Sequence, residues 1–345
     1  ADLDRVPAPV RLETVYFTLT VPRKEVSVLG EGKPAPVVIW GHGHTGNRFD
    51  AVNMGPFFAR HGLATIAIDN PGHGLGISLA ERETVVETFK MFGVGAFAES
   101  AFKDRSRDLN FDGEPDTGAD YWDFYMFHTR DNVRQTALDY MALIRLINSF
   151  DGKRTWAKGF DLNGDGEVEL AGDFNGDGQV DIGLGSDFTM SGGSLGGIMS
   201  MVMGTVEPQL KAIAPVVGAG GLGLVSRRSI NQSVRNAILA RAMGPFYLLT
   251  RQEDGSGRLE ALLPDLVKSP KRVFLATLPQ VEPGDTLMAR NLTTGEQRCG
   301  VLNAEGKGRA PLPSDIGDRL EFYVYKGNPI IGPNCTFAEG AELRH

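Results

Sequence analysis

Ser194 stands in Gly192-Gly193-Ser194-Leu195-Gly196, which fits the pattern Gly-x-Ser-x-Gly. Between a strand and a helix, this pattern makes a turn too tight for side chains at its flanking positions, and it lifts the serine Oγ out of the sheet. A hydroxyl presented in this way can act as an acyl-transfer nucleophile. The Leu195 N–H, at the N-terminus of the following helix, then faces the developing oxyanion. The competing reading is a Gly-rich turn with an incidental serine. A second segment bears on that choice. Trp40-Gly41-His42-Gly43-His44-Thr45-Gly46-Asn47 follows an earlier apolar run. A loop there faces the serine turn across the strand ends, where open α/β sheets bind ligands. The His44 N–H is the expected second oxyanion donor, and losing one such donor typically costs about 3 to 4 kcal/mol of transition-state stabilisation. His42 reads as an imidazole that holds its loop by hydrogen bonding.

A different chemistry repeats three times. Asp108-x-Asn110-x-Asp112-Gly113-x-x-Asp116 recurs as Asp161-x-Asn163-x-Asp165-Gly166-x-x-Glu169 and as Asp173-x-Asn175-x-Asp177-Gly178-x-x-Asp181. Oxygen side chains at positions 1, 3, 5 and 9, with glycine at 6 for the sharp turn, are what a Ca²⁺ loop demands. Position 7 gives a backbone carbonyl, from Glu114, Glu167 and Gln179. The competing reading is a set of solvated Asp/Asn/Gly turns. Against it stand three copies with one internal spacing, whose carboxylates repel one another without a cation.

The charge balance follows these loops. The chain has 43 acidic and 35 basic residues, a formal net charge of −8. Residues 103–187 hold 18 acidic and 9 basic residues, so that quarter of the chain contains the whole excess. With no basic run, a nucleic-acid partner is not expected. No apolar run reaches the roughly 18 residues of a membrane helix, so no transmembrane segment is expected.

Buried strands are read at Pro36–Trp40 and Ala64–Asp69, with a helix at about Arg48–His61 between them. This is a βαβ unit with a parallel sheet. Residues 75–128 break the rhythm as an insertion. Val133, Ala137, Tyr140, Met141, Ile144 and Ile147 then form one apolar stripe of a long helix over Arg130–Phe150. A Gly- and Asp-rich segment, 151–185, leads to a strand at Asp187–Met190, the serine turn, a helix at Ile198–Thr205 and a strand at Leu210–Val217. Residues 226–266 read as amphipathic helix, either a lid or cap or ordinary packing. From about 271 the strands become short and alternating (272–277, 286–291, 297–302 and 319–325), with turn signals between them.

Three segments together resemble the α/β-hydrolase superfamily: Val37–Gly46, the strand and turn Asp69-Asn70-Pro71-Gly72-His73-Gly74, and Thr189–Gly197. The likeness covers about 30–270 and is greatest to bacterial esterases and lipases. A serine, rather than Asp or Cys, points away from dehalogenases and dienelactone hydrolases. The resemblance implies an α/β fold: a mostly parallel sheet with helices on both faces, plus a small antiparallel β-sandwich-like module. It also implies a triad in the order Ser, acid, His. The sequence departs from that order, because the only histidine after Ser194 is His345. Three readings remain. The acid and histidine lie on sequence beyond this chain, on a second chain or a C-terminal fragment; His345 folds back as the base; or catalysis has been lost.

The loops resemble those of dockerins and thrombospondin type 3 repeats. They differ from EF-hands in having Ala119, Gly172 and Leu184 at position 12. Asp120 and Asp173 fall one place later and can close the first two sites, so Asp173 would serve two ions. The resemblance implies a structural rather than catalytic Ca²⁺. The segments Pro283–Glu296 and Asp315–Leu320 look like bacterial immunoglobulin-like modules. Cys299 and Cys335 are the only cysteines. Their even count, together with the loops, points to an oxidising extracytoplasmic setting and a bridge, the alternative being two buried thiols.

The expected organisation is a core at 1–270 with calcium-loop insertions at 75–128 and 151–185, a β module at 271–327 and a tail at 328–345. The expected function is cleavage of small-molecule or lipid carboxylic esters by Ser194. The alternative is a non-catalytic, Ca²⁺-dependent surface binding protein.

Overall fold

A computed structural model describes residues 11–27, 33–109, 113–122, 126–157, 160–221, 224, 228, 244–263, 271–314 and 317–345. The chain divides into two units, Ala1–Gly118 with Asn132–Ala219, and Ala119–Asp131 with Gly220–His345.

In the first unit, the two continuous apolar runs become strands buried along their whole length, β2 (Val37–Gly41) and β3 (Ala64–Ile68), following β1 (Phe17–Thr20). Helix α1 (Asp50–Arg60) connects β2 to β3, which pair in parallel. Then come α2 (Leu79–Met91) and α3 (Gly95–Ala101), a pair that the break in rhythm after residue 75 left unresolved. Ser78 starts α2 with a capping box closed by Glu81. The long helix α4 runs from Met126 to Asn148. Its stripe buries Ala137, Tyr140, Ile144 and Ile147 as the spacing requires, together with Leu143. Strand β4 (Phe188–Gly193), helix α5 (Leu195–Val206) and strand β5 (Leu210–Val216) complete the unit. The sheet order is β1-β3-β2-β4-β5, with β1 antiparallel at its edge. A single 3-10 turn, Lys24–Val26, follows β1.

The second unit corrects the expected fold class. An α/β-hydrolase architecture, mostly parallel and with helices on both faces, is not what the chain forms. Parallel pairing is confined to β2–β3, β2–β4 and β4–β5, and five α-helices occur among the described residues. The other described pairs are antiparallel. Residues 246–263, within the stretch read as an amphipathic helix, are strands β6 (Phe246–Arg251) and β7 (Gly257–Leu263). Of that stretch, 226–243 apart from 228, and 264–266, lie outside the described residues. Phe246-Tyr-Leu-Leu is an apolar run without a period, and such a run cannot distinguish helix from strand. Pairing with β11 (Lys307–Pro311) and with β8 (Lys271–Leu278) decides it, giving the order β11-β6-β7-β8. A second sheet orders β10 (Gln297–Val301), β9 (Thr286–Asn291) and β12 (Leu320–Tyr325). Both sheets contribute to one core: Leu249, Leu259, Leu287, Ala289, Ala310 and Val324. The antiparallel region therefore extends well upstream of residue 271.

Cys299 on β10 is disulfide-bonded to Cys335, so the two-thiol alternative does not hold. Among the described residues no helix is long and apolar enough to cross a membrane. Converting both cysteines to serine should lower the stability of the antiparallel unit by about 3 to 4 kcal/mol, from the entropy of the opened loop. Denaturant unfolding of the double variant against the oxidised parent measures this, and coincident curves would remove the bridge as a stabilising element.

Candidate functional site

Ser194 sits between β4 and α5 with φ 54° and ψ −109°, a backbone conformation that residues with a Cβ seldom adopt. The surrounding contacts hold it there. Ser194 N donates to Val216 O at 3.0 Å, and Ile198 N donates to Ser194 O at 3.0 Å. The β2 and α5 backbones nearly touch: a Cβ on Gly192 would lie 2.5 Å from the Gly41 carbonyl oxygen, and one on Gly196 would overlap that carbonyl. Gly197 is also confined: a Cβ there would lie 2.6 Å from Val216 O. The residues around the turn are buried, yet Ser194 itself is exposed. Leu195 is the first residue of α5, so its N–H has no acceptor within the helix.

The loop after β2 lies beside the serine. A Cβ on Gly43 would be 3.9 Å from Ser194 Cβ and 3.7 Å from Gly193 O. The loop bearing His44 thus lies beside Ser194 through Gly43, and Leu195 follows Ser194 at the head of α5. The tight turn is completed by Thr45, at φ 64°.

Beneath that loop the imidazoles form a cluster. His42 and His73 are fully buried with ring centroids 4.9 Å apart, and His44 meets His73 edge-on at 5.5 Å. His42 Nε2 accepts from Asn70 N at 3.0 Å, and Nδ1 donates to Gly43 O at 2.8 Å. Both nitrogens are thus committed to backbone, which is the loop-holding role expected for His42. His73 donates from Nδ1 to Pro71 O at 2.9 Å. Burial lowers the pKa of His42, against the Gly43 carbonyl and Asp50, and lowers that of His73 further, where the neighbouring imidazoles add to the effect. His345 lies in the other unit, where its ring is hydrogen-bonded to the Gln280 backbone.

One element the sequence did not flag fixes the adjoining turn. Arg48 forms a buried ion pair with Asp69 at the end of β3, its backbone N–H donates to the same carboxylate, and its guanidinium donates to the Ser100 and Ala101 carbonyls. Burial nonetheless raises the Asp69 pKa, with Arg48 opposing. A cavity of about 780 Å³ in this unit is lined by Leu12, Phe17, Ile68, Arg105, Asp139 and Leu143, and Ser194 is not among its lining residues.

The acidic loops share one internal geometry. In each, the carboxylate at position 1 accepts from the glycine N–H at position 6: Asp108 from Gly113, Asp161 from Gly166, Asp173 from Gly178. Those glycines have φ of 85°, 86° and 81°. The carboxylate at position 9 reaches back to the N–H at position 2: Asp116 to Leu109, Glu169 to Leu162, Asp181 to Phe174. Asn110 and Asp112 lie outside the described residues. Asp120 accepts through its carbonyl from His128 in the second unit. Loops 161–169 and 173–181 are joined, because Asn163 Nδ2 donates to Gly176 O at 3.0 Å. The pair rests on the aromatic cluster of Phe150, Trp156, Phe160 and Phe174. Among the described residues no three carboxylate, imidazole or thiol side chains are gathered as a metal-binding group. No family model matches the chain, and no curated protein matches it.

The histidine cluster predicts an acid limit. Below the unfolded pKa of about 6.5, the unfolded chain binds protons that buried His42 and His73 do not, so stability falls as pH falls. Between pH 7 and 5.5 the expected loss is on the order of 1 to 2 kcal/mol for two such groups. A denaturant series across this interval measures it, with His73→Asn flattening the slope; a level profile in the parent would show that these rings take up protons in the folded chain.

Proposed function

We propose that the chain is a serine hydrolase acting on carboxylic esters, with Ser194 as nucleophile. The single observation that supports this is the left-handed, exposed Ser194 at the head of α5, framed by glycines that admit no side chain. Strain of this kind persists only where surrounding structure over-determines it, and it concentrates at functional sites. Ser194 Oγ attacks the acyl carbonyl, and the N–H groups of Leu195 and His44 hold the oxyanion. The resemblance to esterases and lipases rests on Val37–Gly46, Asp69–Gly74 and Thr189–Gly197, not on the architecture of the chain. The hydroxyl still requires a base. His42 does not qualify, with both ring nitrogens engaged, so the proton acceptor is a group other than His42.

Calcium bracing of the loops is a second part of the proposal. The donor set is hard oxygen throughout, as Ca²⁺ prefers. The fit is supported by Glu169, a nearly buried carboxylate whose Oε2 has no hydrogen-bond partner while Oε1 accepts from Leu162 and Asn163. An isolated buried carboxylate oxygen is costly, and a divalent cation would satisfy it. Asp161, Asn163, Asp165 and Glu169 would hold one ion; Asp173, Asn175, Asp177 and Asp181 would hold another. The ion supplies rigidity to the approach to β4, and no bond is made or broken at it. Calcium and the disulfide together favour an extracytoplasmic location.

A fluorophosphonate probe tests the nucleophile. The parent should be labelled, whereas Ser194→Ala should lose labelling and about a thousandfold or more of ester turnover; an unlabelled parent would sink the enzyme reading. Chelation tests the metal. Each ion held at a hundredfold over its dissociation constant stabilises by about 2.7 kcal/mol, so a chelator should lower the melting temperature, and an unchanged melt would remove calcium.

A further inference from the structure

Lys24 reaches the calcium loops from a different part of the chain. It sits in the 3-10 turn directly after β1, and its Nζ lies 2.8 Å from Asp177 Oδ1 and 2.7 Å from Oδ2. Asp177 is position 5 of the third loop, one of the oxygen positions that a Ca²⁺ ion would use. The turn is held by its own backbone, Val26 N to Arg23 O and Ser27 N to Lys24 O. Its approach is fixed from β1 as well, where Phe17 meets Phe174 edge-on at 5.9 Å. Phe174 is position 2 of the same loop, and its N–H is the one that Asp181 accepts. The ammonium is therefore delivered to the loop by a folded element rather than by a free surface side chain.

The charges facing Asp177 are unequal. Asp173 and Asp181 are buried beside it, and burial raises the Asp181 pKa, with Asp173 and Asp177 adding to the rise and Lys24 opposing it. Asp165 and Glu169 belong to the joined neighbouring loop, tied in through Asn163. Glu169 adds a buried, unpartnered oxygen to this group. Lys24 is the cation paired with the third loop among the described ion pairs.

Resting on the calcium reading above, we propose that Lys24 sets the Ca²⁺ affinity of the 173–181 loop by competing with the ion for the Asp177 carboxylate. Ion and ammonium cannot both neutralise the same two oxygens at contact distance. To bind, the ion must draw Asp177 from Lys24 and then tolerate a positive charge within a few ångströms. Lys24 thereby lowers the affinity of one loop of the joined pair and leaves the 161–169 loop, which it does not touch, as the tighter site. It also fastens β1 to the loop through a contact that calcium would compete for.

The experiment is calorimetric titration of CaCl₂ into the full chain, comparing the parent with Lys24→Gln and Lys24→Arg, and with Asp177→Asn to mark the heat of this loop. Lys24 is partly exposed and makes no other described side-chain contact with the loops, so Lys24→Gln should fold, which circular dichroism verifies. Expected are about three- to tenfold tighter binding at the marked loop in Lys24→Gln, parent-like affinity in Lys24→Arg, and convergence of all three at high salt, as screened Coulomb competition requires. Equal or weaker affinity in Lys24→Gln, with calcium still bound by the parent, overturns the role of Lys24 alone. Absence of calcium binding to the parent overturns it together with the calcium reading.

Discussion

The candidate centre depends on a contact between two backbones. Gly41, at the end of β2, and Gly196, in the first turn of α5, approach so closely that a Cβ on Gly196 would overlap the Gly41 carbonyl, and Gly192 completes the same contact from β4. Because these positions lack side chains, α5 can start directly behind the sheet, and the chain must reverse within one residue. That residue is Ser194, which takes the left-handed conformation as a consequence. The exposure of Ser194 and the placement of the Leu195 N–H at the start of α5 follow from the same contact. The loop after β2 is drawn beside Ser194 because it begins at Gly41.

Around this contact the first unit is stiffened by polar groups rather than by apolar packing alone. Asp69 and Arg48 lock the end of β3 to the loop after β2 and to the end of α3. Tyr140 on α4 donates to Asn70, and Asn70 in turn donates its backbone N–H to His42. Every one of these groups is buried. A buried network is worth its desolvation only when its members are matched, and here the matches run from α4 through β3 to the loop that faces Ser194. Lowered histidine pKa values are a by-product of that burial.

The joined acidic loops solve a different problem. They concentrate carboxylates yet must adopt one conformation. Each position-1 and position-9 carboxylate turns onto N–H groups of its own loop, which spreads its charge over the backbone. Phe150, Trp156 and Phe174 anchor the loops from below, and Ala35 N donates to Asp181 O at the entry to β2. The loops are therefore continuous with the sheet that carries the serine turn, and Lys24 connects them to β1.

The sequence by itself determined the elements whose cause is local. Two uninterrupted apolar runs specified β2 and β3, a three-to-four stripe specified α4, and Gly192 and Gly196 specified the turn, since no side chain fits at either. The spacing of Asp, Asn and Gly specified three loops of one geometry. Other features depended on partners distant in the chain. Whether Phe246–Arg251 was helix or strand rested on pairing with residues 307–311, and the extent of the antiparallel unit, hence the failure of the expected mostly parallel fold, followed from it. The Arg48–Asp69 pair, the ring contact of His42 with His73, the Cys299–Cys335 bridge and the reach of Lys24 to Asp177 across 153 residues leave no periodic trace. Local sterics and periodicity act over a few residues and are written in order along the chain. Pairing, burial and charge contact act through space, and only the folded chain decides them.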